Sequence, residues 1–312
     1  MTEPQPEAEA PPQDQVPSHP ESAPDPAAAA PDPSARYGDA TEDKIAEVVN
    51  VAARYGGSSI IALAGVPGTG KSYVGQIAAQ RIADEPTRVR EIQFHPSTTY
   101  EEFVEGLRMD KTGGIDETPG LFSEWNQQAL ADPHSTYVLL IDELTRAKVN
   151  AVMGELLTFI EDRSRAFTTI YSRRHVRVAS NLVVVATYNP TDRSAIEIDG
   201  ALLRRLRVIR FDPDEGQLRE MLSSRLPGPV VDRLAGLFAG LRAKHKDFDD
   251  QMPFGHGIFA EVQQEAPDLY QLWEQRIRFF LHRPLVSPHP YADDIRVAYP
   301  WHDPNYLERA QP

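Results

Sequence analysis

Three apolar runs constrain this chain more than anything else in it. "SSIIALAG", "TYVLLIDE" and "NLVVVATYN" place apolar residues at successive positions rather than at alternate ones. Neighbouring side chains of a strand point to opposite faces, so each run has to be buried on both sides. Strands of this kind belong to parallel sheets whose two faces are covered by helices. The intervening segments fit that arrangement. "GKSYVGQIAAQRIAD" puts Val74, Ile77, Ala78 and Ile82 on one helical face. "NAVMGELLTFIED" does the same for Val152, Leu156, Leu157 and Ile160. An earlier helix, "TEDKIAEVVNVAARYG", carries Ile45, Val48, Val49 and Ala52 inward, with Thr41 as its expected cap. "VREIQFH" and "RLRVIRFD" add strands, and "AFTTIYSRRHVRVAS" a β-hairpin. The expected fold is α/β with a doubly covered parallel sheet.

Each apolar run stops abruptly at polar residues. Ligands of such sheets bind beyond the carboxyl ends of the strands, where the groups after Gly65, Ile141 and Tyr188 fall. The first of these is "GVPGTGKS", between a strand and a helix. Its glycines, Gly65, Gly68 and Gly70, let backbone wrap a triphosphate, with Pro67, Thr69 and the following Tyr73 completing the loop. Amide groups and the helix N-terminus then face phosphate oxygens. Lys71 would reach the β- and γ-phosphates and Ser72 would hold Mg²⁺. At the second strand end, Asp142 would orient the Mg²⁺ shell and Glu143 would act as general base toward water. At the third, the Asn189 amide would bind the attacking water and the γ-phosphate, with Asp192 orienting it. An Asn-Pro turn with Asp192 capping the next segment is the competing reading.

Arg204 and Arg205 stand just before the last strand. An arginine that reaches a neighbouring subunit's γ-phosphate supplies a rate factor of roughly 10³ to 10⁵; ordinary surface pairing is the alternative. Arg146 is a second candidate for an inter-subunit contact. Arg173, Arg174, His175 and Arg177 form a basic hairpin tip that would face a pore or a polyanion, or simply water.

The chain has 312 residues, enough for one large domain or two ordinary ones. It has no cysteine, which excludes disulfides and thiolate zinc sites, and no His-x-x-x-His pair. Its net charge of −14 argues against direct coating of nucleic acid. No apolar run approaches the roughly 20 residues that span a bilayer, and no secretory signal is visible, so a cytoplasmic location is expected. Residues 1–37 hold ten of the 27 prolines, and eight acidic residues against one basic precede Thr41. Such a segment buries too little surface to offset its ordering entropy; a disordered acidic tail is expected. Residues 38–212 form the expected α/β nucleotide-binding domain and residues 213–285 a helical one. The proline-rich residues 286–312 are an extension without an evident place.

Taken together these segments resemble AAA+ ATPases and, more narrowly, the motor subunit of McrBC-type restriction systems. The resemblance covers about residues 40–285. It rests on the "GVPGTGKS" loop (Walker A), "QFHPSTTYEEFVEGLR", "IDELTRAKVNAVMGELLTFIED" (Walker B), "NLVVVATYNPTDRSAIEIDGALLRR" with its Asn-x-x-Asp signature, and the lid segment "FGHGIF". It implies a five-stranded P-loop core, a small helical lid, and a homo-oligomeric ring, usually a hexamer, with nucleotide between subunits. It also implies ATP (or GTP, which McrB prefers) with Mg²⁺, and a separate effector: a restriction or defence nuclease, or a substrate adaptor. Asn189-Pro190 is also similar to MoxR-type chaperone ATPases, which remodel protein complexes. Three departures stand out. Leu203 occupies the first place of an expected arginine triplet, the lid motif offers His256 instead of an arginine, and no DNA-reading domain precedes the motor in this sequence, so DNA recognition does not carry over.

Overall fold

The three apolar runs lie side by side at the centre of one sheet. The computed structural model describes residues 38–109, 113–191, 200–265, 268–282, 288–303 and 305–306. In chain order the strands are β1 Ile60–Ala64, β2 Val89–Gln93, β3 Glu105–Met109, β4 Ile115–Pro119, β5 Tyr137–Asp142, β6 Ala166–Thr168, β7 His175–Arg177, β8 Leu182–Tyr188 and β9 Leu206–Arg210. Five of them make the main sheet in the order β2-β5-β8-β1-β9, and every neighbouring pair is parallel. Strands β3 and β4 form one antiparallel hairpin, and β6 and β7 another.

The double-sided burial read from the sequence is borne out residue by residue. Ile60, Ala62, Leu139, Ile141, Val184 and Ala186 point into one apolar cluster. Their neighbours Ile61, Leu63, Val138, Leu140, Val183 and Val185 point into another on the opposite face. Helices Asp39–Tyr55 and Lys71–Ala83 contribute Ile45, Val48, Val74 and Ile77 to the second cluster. Each fully buried Val, Leu or Ile stabilises by about 1.5–3 kcal/mol relative to exposure, and the central strands are made almost entirely of such residues.

Two local features differ from the sequence expectation. The first helix begins at Asp39, with Gly38 at its N-cap, so Thr41 lies inside the first turn. Its cap comes from a distant helix: the Glu220 carboxylate accepts from the Ala40 amide at 2.6 Å and from the Thr41 hydroxyl at 3.1 Å. An acid at a helix N-terminus also meets the favourable end of the dipole. The helix expected over "NAVMGELLTFIED" breaks into Val149–Met153 and Leu156–Glu161. Gly154 between them has φ +50°, a conformation open to glycine at little cost, and the Tyr100 ring packs against it.

A separate apolar core holds the helices Glu215–Leu222 and Gly228–Lys244 together with Phe254, Phe259, Trp273, Leu281 and residues as late as Trp301. Tyr291, Ile295, Tyr299 and Trp301 are all buried in it, so much of the segment the sequence left unplaced packs with the helical part. Arg242 donates to the Pro213 carbonyl at 2.5 Å and so holds the start of that part against the helix Gly228–Lys244. Residues 1–37, the expected acidic tail, lie outside the described residues.

One buried cation holds three loops together. Arg163 donates to the carbonyls of Ala179 at 2.7 Å, Leu182 at 2.6 Å, Gly56 at 2.9 Å and Ile160 at 3.3 Å. Burial pushes its guanidinium down to about 10, yet it stays charged at neutral pH. Replacing Arg163 by methionine keeps the stem and strips four carbonyls of their donor. The expected loss is about 3 kcal/mol, read by urea denaturation; a loss below about 1 kcal/mol would show that water replaces the guanidinium.

Candidate functional site

The parallel register brings three strand ends to one edge. Ala64 pairs with Tyr188, Ile141 with Ala186, and Gln93 with Asp142. The loop Gly65–Gly70 therefore emerges beside Asp142, Glu143 and Asn189. Two of its glycines, Gly68 at φ +77° and Gly70 at φ +81°, take a backbone shape that side chains resist. Gly65 is required for a different reason: a β-carbon there would overlap the Phe211 carbonyl oxygen. Thr69 is buried and its hydroxyl donates to the Val66 carbonyl at 2.9 Å, closing the loop on itself. Tyr73 stands half exposed on the first turn of the helix that follows.

Lys71 lies over this loop. Its ammonium donates to the carbonyls of Gly65 at 2.8 Å and Val66 at 2.9 Å. Burial lowers its pKa to about 8, against the upward pull of Glu143 and Asp142. A phosphate chain seated on the loop would offer that cation better partners than two carbonyls.

The two acids are organised by a hydroxyl that the sequence did not single out. Asp142 Oδ1 accepts from Ser72 Oγ at 2.8 Å and from Thr187 Oγ1 at 2.5 Å. Thr187 also accepts from the Glu143 amide at 3.1 Å. It is buried on β8, next to the end of β5. Glu143 takes φ +56°, a strained value for a residue with a side chain, and the Thr187 contact holds it there. Its carboxylate lies 3.4 Å from Arg146 Nε, so Arg146 is engaged within its own chain. Ser72 and Asp142 present hard oxygen donors to one point. Among the described residues no cluster of three or more His, Cys, Asp or Glu suits a metal. Two oxygen ligands beside a phosphate loop fit Mg²⁺, which keeps several waters and takes the rest of its shell from phosphates.

Asn189 ends β8 in an Asx-turn: its Oδ1 accepts from the Thr191 amide at 3.1 Å and the Thr191 hydroxyl at 2.8 Å. The turn reading and the water-binding reading are thus compatible, because the turn uses the amide oxygen and the NH₂ group is still a donor. Asp192 and Arg193 lie outside the described residues. The two arginines before β9 have different surroundings. Arg205 is buried and donates to the carbonyls of Leu157 and Ala201, each at 2.7 Å, with Glu161 at 3.2 Å. Arg204 is 67% exposed, with Glu161 at 3.5 Å as its ion-pair partner. The basic hairpin β6–β7 sits on the Glu105 carboxylate, which accepts from the amides of Tyr171 and Ser172 at 2.7 and 3.1 Å.

Residues 60–206 match the family model of the AAA domain, dynein-related subfamily. The chain is 33% identical to the Type IV methyl-directed restriction enzyme EcoKMcrB subunit of Escherichia coli K12, over 54% of this chain and 39% of that protein. It is 23% identical to the Type II restriction enzyme BsuMI component YdiS of Bacillus subtilis 168, over 56% of this chain and 70% of that protein. The match thus spans well under half of the length of the Escherichia coli relative.

A triphosphate seated on this loop would bind with a pH dependence that the lowered Lys71 pKa sets. Below about pH 8 the free protein already carries the ammonium, and affinity for a Mg²⁺–triphosphate is expected to be flat. Above it the proton must be recovered on binding, so affinity should fall, approaching about tenfold per pH unit. Calorimetric titration at about pH 7, 8 and 9.5 reads this; an affinity unchanged across the range would contradict it.

Proposed function

The chain carries an AAA+ domain of McrB-like sequence, and from that premise we propose that it is a nucleoside-triphosphatase motor subunit. It would work with a separate effector of a restriction system and use ATP, with GTP as the alternative. The observation that carries the reading is the hydroxyl-linked set Ser72, Asp142, Thr187 and Glu143 beside the Lys71 loop. Both relatives are named as parts of restriction enzymes, one a subunit and one a component. Those names favour a partnered restriction motor over the chaperone reading.

The residues divide the chemistry as follows. Backbone amides of the loop and the Lys71 ammonium hold the β- and γ-phosphates. Ser72 and Asp142 would hold Mg²⁺, whose charge would offset that developing on the phosphate oxygens. Asn189 offers its NH₂ group to the attacking water, and Glu143 takes that water's proton as oxygen attacks the γ-phosphorus and the bond to the β-phosphate oxygen breaks. Arg204 is the arginine to be offered to a neighbouring copy's phosphates, since it is exposed while Arg205 is committed to Leu157 and Ala201. Nucleotide sites shared between copies make a ring the natural assembly.

Phosphate release from ATP and from GTP, followed across a protein dilution series, tests this. Turnover per chain should rise with concentration. Glu143→Gln should bind nucleotide within about threefold of the native chain and lose at least about a hundredfold in turnover. Arg204→Ala should lose roughly a thousandfold, whereas Arg205→Ala should first lower the melting temperature. Normal turnover by Glu143→Gln would remove it as the base, and turnover indifferent to Arg204 and to dilution would remove the shared site.

A further inference from the structure

The late segment, which the sequence left without a place, walls an open cavity of about 490 Å³. Arg296 and His302 come from that segment, and Trp273, Arg278, Phe279 and His282 face them from the preceding helical stretch. The volume lies in the range of ligand pockets, roughly 300–1,000 Å³. The helical wall contains a π turn, Trp273–Ile277, a rare element that recurs at functional sites.

The cavity is cationic, and little of its charge is answered from within. Glu274 is the acid on its wall among the described residues, and it pairs with Arg278 one helical turn on. Arg296 is exposed, and among the described residues its guanidinium has neither an ion pair nor a hydrogen bond. His302 donates through Nδ1 to the Tyr299 carbonyl at 2.7 Å, so Nε2 is the ring atom left for a ligand. A cation in the last turn of a helix meets the favourable end of the dipole. That accounts for Arg296 alone and not for a cavity that it shares with Arg278, His282 and His302. Apolar surface flanks these groups. Phe279 is 53% exposed, and Val297, next to Arg296, is 84% exposed. The Arg278 guanidinium lies 5.3 Å from the centre of the Phe279 ring. Trp273 is fixed behind them, stacked on Tyr299 with ring centres 5.7 Å apart. Arginine and aromatic side chains around one pocket are the composition of protein-binding hot spots.

We propose that this cavity docks an acidic segment of a partner protein, which sets an apolar side chain against Phe279 and carboxylates against Arg296 and Arg278. The inference rests on the partnered-motor reading above and names the chemistry that the effector would present. Nucleic acid is the poorer match. A strand needs a groove of cations along its backbone, whereas these are gathered in one cavity, and a net charge of −14 opposes a long polyanion. Phe279 also lines the cavity beside Pro67 and Gly68 of the phosphate loop. A docked segment would therefore touch a side chain that reaches toward the nucleotide end of the molecule.

Fluorescence anisotropy tests the docking site, with the full chain titrated into a labelled hexapeptide that carries leucine and phenylalanine between two glutamate–aspartate pairs. No nucleotide is added. Binding is expected, and the same peptide with its acids replaced by amides should not bind. Arg296→Glu and Phe279→Ser should each weaken the acidic peptide about tenfold or more. Both side chains are exposed, so both variants should melt as the native chain does. Arg90→Glu makes the same charge change on the exposed edge strand β2 and should stay within about threefold of native. No binding by the native chain at about 1 mM, equal weakening by Arg296→Glu and Arg90→Glu, or tighter binding of a thymidine oligonucleotide of equal length would overturn the docking site alone. A chain that binds the peptide yet releases no phosphate from ATP or GTP at any concentration would keep the docking site and overturn the motor reading.

Discussion

A single carboxylate oxygen organises the candidate site. Asp142 Oδ1 receives hydroxyls from Ser72 on the loop helix and Thr187 on β8, and Thr187 in turn receives the Glu143 amide. These four residues come from three segments far apart in sequence. They meet because β5, β8 and β1 are adjacent and parallel, with registers that end their strands at one level. A slip of one residue in β8 would turn the Thr187 side chain to the opposite face of the sheet. The register of the central strands is thus what places the chemistry.

The strands and the site acids were legible in the sequence for a simple reason. Continuous apolar runs bounded by glycine or acid have few solutions other than a doubly covered parallel strand, and the polar residue that ends such a run has to sit at its tip. Thr187 was not legible: within "VVVATY" a β-branched threonine reads as an ordinary strand residue, and its role appears only once β5 lies beside it. The difference between Arg204 and Arg205 was hidden for the same reason. Two adjacent arginines on a helix point in different directions, and which of them meets carbonyls depends on the packing of the Leu156–Glu161 helix. The capping of the first helix by Glu220 joins positions 180 residues apart. No local pattern can encode a contact of that span.

The helical part contributes to the site by short-range contact. Its lid motif meets the loop through backbone hydrogen bonds at Pro67 and Gly68, and glycines permit that approach. The late segment that ends at Trp301 was unreadable because its prolines mask the period of a helix. Burial of Tyr291, Ile295, Tyr299 and Trp301 shows that it completes the helical core all the same.

The role of Thr187 as the link between the two acids is the claim on which the rest turns. Thr187→Val keeps the shape of the side chain and removes its hydroxyl, whereas Thr187→Ser restores the hydroxyl and loses only a methyl. Steady-state phosphate release and nucleotide affinity, measured on both variants, separate positioning from packing. The account predicts that Thr187→Val loses about ten- to a hundredfold in kcat with affinity within about threefold of native, and that Thr187→Ser recovers most of the rate. Native kcat in Thr187→Val, or equal losses in both variants, would contradict it.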